Sequence, residues 1–302
     1  MPHFRDVGSV SKEFTMVDLT EKSPFQKFTL DLQKFAALNP NLIENTLSNI
    51  FTMRLLGNKT HGDLAEIGIT EFINQFLPGY EAQHVGKDLF RAKTSEEDIL
   101  VTRLEDLSKI KVSLKAYGVG PLQLSTDKDA VLFPLLERLG KSRLEDASEI
   151  EQLLHRSEFS HLANLNVLPL IYQEDVKQCA IMVFDISALP ERTSVVERVA
   201  PGPRGRKHPV WQFLDSDGEY ICEVRYGGKS ANALQRGLWT DSKKAANHFR
   251  FITDGWVTYE HNLILTDLFA KALNSTSDAH QLVLQPINLE LQKLAHDSKT
   301  DK

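Results

Sequence analysis

The sequence predicts a mixed α/β chain of the α+β kind, with a layer of helices ahead of a mixed β-sheet and a β-rich end. Three observations carry this. Apolar residues recur at helical spacing over the first third of the chain. Short β-branched runs bounded by turn residues follow. A hairpin signal, Asp217-Gly218, sits between two alternating segments near the C-terminal end.

The helices come first. Phe25, Phe28, Leu32 and Phe35, then Leu42, Leu47, Ile50, Phe51 and Leu55, recur at helical spacing, and Asn39-Pro40 breaks the run into two helices. A third helix is expected after His61-Gly62, through DLAEIGITEFINQFL, stopped by Pro78-Gly79. Strands are expected at Asp88–Ala92, Ile99–Thr102 and Ile110–Lys115, with Tyr117–Pro121 as a turn. Asp129–Leu139 reads as a helix that Thr126 or Asp127 caps. Two more helices are expected near Leu144–His155 and Phe159–Leu165. Val167–Tyr172 and Ala180–Phe184 read as buried strands. Gly202–Pro209 is a loop, VWQFLDSDGEYICEVRYG a hairpin, and Asn262–Leu273 a helix. Trp239 and Trp256, in apolar surroundings, are expected in the core.

Composition narrows the function classes. The chain has 302 residues, 41% of them hydrophobic, enough for a real core, so a disordered chain or a fibre is excluded. Cys179 and Cys222 are the only cysteines, which excludes a cysteine zinc cluster and allows at most one disulfide. With no run of some 20 apolar residues, a soluble, cytoplasmic protein without a membrane partner is the expectation. The net charge of -6 argues against an all-over basic protein. Between Ala200 and Arg250, however, nine Lys/Arg face five Asp/Glu, and a local field of that sign suits a polyanion.

Several motif fragments fail. Gly228-Lys229-Ser230 lacks the glycine a phosphate loop needs five residues before its Gly-Lys, where Glu223 stands. Asp215–Glu219 lacks the remaining calcium-loop ligands, and His155 and His161 are wrongly spaced for a zinc pair on one helix face. No Gly-x-Ser-x-Gly elbow is present.

Three segments converge instead on metal-dependent phosphodiester chemistry: Gly62–Glu66 at a helix start, Asp98 entering an apolar strand, and Lys115 on the next strand, 17 residues after Asp98. A divalent metal binds the phosphoryl oxygen and lowers the pKa of water. Hard carboxylate oxygens suit magnesium, and an ammonium offsets the developing negative charge.

The order helix glutamate, strand aspartate, then x-Lys on the next strand resembles the PD-(D/E)xK nuclease superfamily, and within it the type II restriction endonucleases. Leu114–Thr126 and the stretches Arg225–Lys229 and Asn232–Thr240 add to the likeness, whose catalytic part covers about Gly62 to Thr126. Two departures stand out. Glu97 precedes Asp98 where proline is usual, and Ser113 stands where the family usually has an acid. The second metal ligand is therefore open among Glu66, Asp129 and Glu137.

The resemblance implies a restriction-endonuclease-like mixed central sheet flanked by helices. Its parts would be an arm and helical layer over 1–57, a catalytic core over 58–195 and a DNA-recognition region over 196–302, or one continuous domain. Glu66, Asp98, Ser113 and Lys115 form the implied catalytic set, with Mg2+ on Asp98 and Glu66. Double-stranded DNA would be cut at a short sequence to leave 5′-phosphate ends. Arg204, Arg206, Lys207, Arg225, Lys229, Asn232, Gln235 and Arg236 are candidates for DNA contacts, with Lys243, Lys244 and Arg250 on the phosphate backbone. A palindromic site implies a homodimer, and a restriction system implies a cognate DNA methyltransferase. The competing expectations are a structure-specific or repair nuclease of the same fold, and a non-catalytic DNA-binding protein with a degenerate site.

Overall fold

Phe28, Leu32, Leu47, Ile69 and Phe72, all fully buried, hold three consecutive helices against one face of a seven-stranded sheet. In the computed structural model, residues 22–56, 61–85, 97–127, 129–160, 162, 165–202, 208–225 and 235–273 are described, with four isolated positions beyond. The helices are α1 (Pro24–Leu38), α2 (Pro40–Leu56) and α3 (His61–Phe76), within two residues of the limits their periodicity predicts. Ser23 and Gln26 close a capping box on α1, and Pro40 opens α2. At the α2–α3 contact a Cβ on Gly68 would lie 2.8 Å from the Ile50 side chain, so this glycine permits the close packing.

The first sheet contains β1 (Tyr80–His84), β2 (Ile99–Arg103), β3 (Lys109–Gly118), β6 (Val167–Gln173) and β7 (Gln178–Phe184), in that order. β12 (Phe249–Phe251) and β13 (Val257–Thr258) both pair with β7. β1, β2 and β3 are antiparallel, β3 and β6 parallel, β6 and β7 antiparallel, so the sheet is mixed. β7 shows the two-residue period of a strand buried on both faces. Cys179, Ile181 and Val183 face the helices, while Ala180, Met182 and Phe184 face the second core.

That second core lies under a six-stranded antiparallel sheet of β4 (Pro121–Thr126), β11 (Gly237–Asp241), β10 (Tyr220–Arg225), β9 (Val210–Leu214), β8 (Val195–Val199) and β5 (Arg143–Leu144). Short helices α4 (Leu132–Glu137), α5 (Ala147–Leu154), α6 (Ser157–Ser160) and α7 (Leu189–Arg192) lie in the connections, and α8 (Leu263–Leu273) packs on α2. Asp127 accepts from the Val131 and Leu132 amides and so caps α4. Among the described residues no helix is long and apolar enough to cross a membrane.

The structure corrects several sequence expectations. Tyr117–Pro121 is not wholly a turn. β3 runs to Gly118, Val119-Gly120 make the corner, and the chain re-enters as β4 in the other sheet, with Gly120 at φ +127°. The predicted helix over Asp129–Leu139 shrinks to α4, and that near Leu144 starts at Ala147 because Arg143 and Leu144 pair with β8. Trp239 is not core. It lies half-buried with the Arg225 guanidinium 4.2 Å above its ring, whereas Trp211 is the fully buried tryptophan. The expected strand at Asp88–Ala92 lies outside the described residues.

Two predictions follow from this packing. A Cβ on Gly237, at φ +121°, would sit 2.1 Å from the Ser125 carbonyl oxygen and 2.7 Å from the Asp127 amide nitrogen. Gly237→Ala is therefore expected to destabilise the chain by about 2–4 kcal/mol, read as a lower urea midpoint. Burial pushes the thiol of Cys179 up to about 12 and that of Cys222 well above its ordinary value. Raised thiols stay protonated and unreactive, so neither should take up iodoacetamide at about pH 8 until urea unfolds the chain.

Candidate active site

β3 changes partners midway. β2 pairs with it over Lys109–Val112, and β6 pairs with it from Ser113 to Gly118. The Val112 carbonyl accepts from the Asp98 amide, and the Ser113 amide turns the other way to the Asn166 carbonyl. The next amide on the β2 side, that of Leu114, donates to the Asp98 side chain at 2.8 Å. One carboxylate oxygen thus takes the place of the next ladder acceptor, which fixes Asp98 at the sheet end.

The other predicted residues gather around it. Ser113 Oγ donates to the same Asp98 Oδ2 at 3.1 Å, and Lys115 Nζ lies 3.9 Å from it. Lys115 and Asp98 are each about a quarter exposed, so the pair is partly screened from water and open on one side. On α3, Ala65, Ile69, Phe72 and Ile73 turn into the core, which leaves Glu66 at the helix margin, one-sixth exposed. Its Oε2 meets His84 Nε2 at 2.8 Å. β1 ends at His84 opposite Ile99, so the ends of β1 and β2 carry His84 and Asp98 side by side.

Electrostatics tie the two carboxyls together. Burial raises the Glu66 carboxyl, the His84 hydrogen bond opposes this, and the Asp98 charge adds to the rise. Burial also raises Asp98, against the pull of Lys115, Ser113 and the Leu114 amide. Among the described residues the protein contacts fall on Asp98 Oδ2 and on Glu66 Oε2, and none of those residues takes up the second oxygen of either carboxylate. A cation between them would offset both burial and mutual repulsion, so this donor set fits magnesium, which needs one or two carboxylates and keeps several waters. Among the described residues no group of three or more His, Cys, Asp or Glu forms a ready protein cage for a metal.

His84 was missed in the sequence. The faint signal for it was the Tyr80-x-Ala82-x-His84 alternation directly after Pro78-Gly79. The alternatives for the second ligand lie elsewhere. Glu137 accepts from Arg198 Nε at 2.7 Å and Trp211 Nε1 at 2.9 Å, and Asp129 stands in an exposed turn. Glu97, in the usual proline position, pairs with Lys111 at 2.6 Å.

The DNA-contact candidates fare unevenly. Arg204, Arg206, Lys207, Lys229 and Asn232 lie outside the described residues. Arg225 is held by Glu223 at 2.5 Å beneath its Trp239 stack. Gln235 is exposed, and Arg236 is half-buried with its carbonyl accepting from the Asp127 amide and Gln123 Nε2. Arg250 reaches across to α1, through Gln33 and Thr29.

No family model matches the chain, and neither does any curated protein or solved structure.

Asp98→Ala and Asp98→Asn should separate the ladder role from the charge. Alanine strands the Leu114 amide and is expected to cost about 1–3 kcal/mol. Asparagine keeps an acceptor and removes a buried charge, so its urea midpoint should equal or exceed that of the parent at neutral pH. A carboxyl raised on folding contributes stability below its unfolded pKa and loses it as pH rises through the folded one. Any advantage of Asp98→Asn should therefore vanish as pH falls below the ordinary carboxyl range.

Proposed function

We propose that the chain is a magnesium-dependent DNA endonuclease of the type II restriction class, with the PD-(D/E)xK-like arrangement its sequence resembles. The observation that carries this reading is the approach of Lys115 Nζ to Asp98 Oδ2, 3.9 Å apart on neighbouring strands, with Glu66 in electrostatic reach. An exposed surface pair would gain little from such an approach. Here both partners are mostly buried at an open sheet end, and among the described residues two carboxylate oxygens remain available.

In this reading Asp98 and Glu66 would hold magnesium, which would supply Lewis-acid polarisation of the scissile phosphoryl group and a more acidic water. Lys115 orients the attacking water with its ammonium protons and offsets the negative charge that grows on the phosphoryl oxygens. Ser113 donates to Asp98 and holds it in one orientation, a positioning part in place of the acid usual there. His84 does the same for Glu66. Double-stranded DNA is the substrate, cut to leave 5′-phosphate ends. A two-fold symmetric target brings a homodimer with it, and a cognate methyltransferase protects the host DNA in the cytoplasm.

The test is digestion of a long linear viral DNA with magnesium, with EDTA, and with the Lys115→Ala variant. Discrete fragments in the first, absent from the other two, are expected. Binding without cutting in all three would replace this reading with a non-catalytic DNA-binding protein. A smear or cutting only at junctions would indicate a structure-specific nuclease.

A further inference from the structure

A cavity of about 670 Å³ opens at the β7–β12 side of the first sheet, between α1 and the segment carrying α7. Glu66, His84, Asp98 and Lys115 take no part in its walls. Three cations line it: Lys22, Arg192 and Arg250. Arg250 donates from Nη1 to Gln33 Oε1 and from Nη2 to Thr29 Oγ1, both at 2.8 Å and both to neutral oxygens. None of the described carboxylates reaches ion-pair distance of Arg250, Lys22 or Arg192.

The acids of the cavity do not cancel this charge. Asp185 already accepts from Gln26 Nε2 at 3.2 Å and from Ser187 Oγ at 2.5 Å, and among the described lining residues Glu191 is the one other acid. The lining thus keeps a formal excess of one positive charge. Burial bears on the Arg250 guanidinium more than the charge of Asp185, which acts on it from beyond ion-pair distance, relieves it, and its fork matches the oxygens of a phosphate or carboxylate. Phe25 and Phe249 supply apolar wall. The volume is that of a small-molecule site.

We propose that this cavity binds a small organic oxyanion, its phosphate or carboxylate held by Arg250, Arg192 and Lys22 and its apolar body set against Phe25 and Phe249. The site stands apart from the Asp98–Lys115 centre and does not depend on the function proposed for it.

Calorimetric titration and thermal melting of the full chain in EDTA test this, with adenosine monophosphate and benzoate as the two oxyanions and adenosine as the neutral control. Saturable binding of at least one oxyanion, with adenosine silent, is expected, and which one binds tells phosphate from carboxylate. The double variant Lys22→Gln/Arg192→Gln should weaken binding at least about tenfold without lowering the melting temperature of the free chain. Arg250→Lys keeps the charge but loses the fork and should weaken binding too, while Lys115→Ala should leave it unchanged. Silence from both oxyanions, equal binding of adenosine, or indifference to the double variant would overturn the proposal.

Discussion

The staggered pairing of β3 is the constraint on which the candidate site depends. A strand that exchanges one neighbour for another midway must find an acceptor for the amide exposed at the exchange. Here the pairing of β2 with β3 stops at Val112, and the Asp98 side chain serves the Leu114 amide. That service brings a carboxylate to the sheet end, beside the two side chains that next leave β3 on the other register, Ser113 and Lys115. Backbone satisfaction and the gathering of chemical groups are thus one arrangement.

The arrangement is electrostatically expensive. Glu66 and Asp98 are both raised by burial, and the charge of Asp98 raises Glu66 further. A chain shaped only for stability would have replaced one of them by a neutral residue. His84, Lys115 and Ser113 moderate the cost without removing it, which accords with the cation site proposed above.

How much of this was legible in the sequence varied with the range of the interaction. α1, α2 and α3 were readable because Phe25, Phe28 and Leu32, or Ile69, Phe72 and Ile73, announce a buried face within a few turns. The β9–β10 hairpin was readable from Asp217-Gly218, where Gly218 adopts φ +79° and Asp215 takes the Asp217 and Glu219 amides. β4 was not. It opens on proline after a glycine corner, and its partner β11 lies more than 110 residues away, so nothing local marks it as a strand. The same holds for Trp239, whose apolar neighbours suggested a core position while the sheet turned it toward Arg225. In the site, the spacing of Asp98 and Lys115 carried the information. His84 did not show, because β1 is short and half exposed, and its edge is covered by Asn74 of α3 through two hydrogen bonds to Ala82.

β12 and β13 close the far edge of the first sheet with residues that leave the ribosome more than 60 positions after β7. During synthesis, β7 must wait with an unpaired row of amides and carbonyls, and Arg250 can pin α1 only after more than 200 further residues have been made. The nascent protein therefore passes through a long interval in which its helical layer and most of its sheet exist but one edge is adhesive. Recombinant yield should depend on how quickly that interval is crossed, so slower growth temperature and holdase chaperones act on this edge before they act on anything at the site.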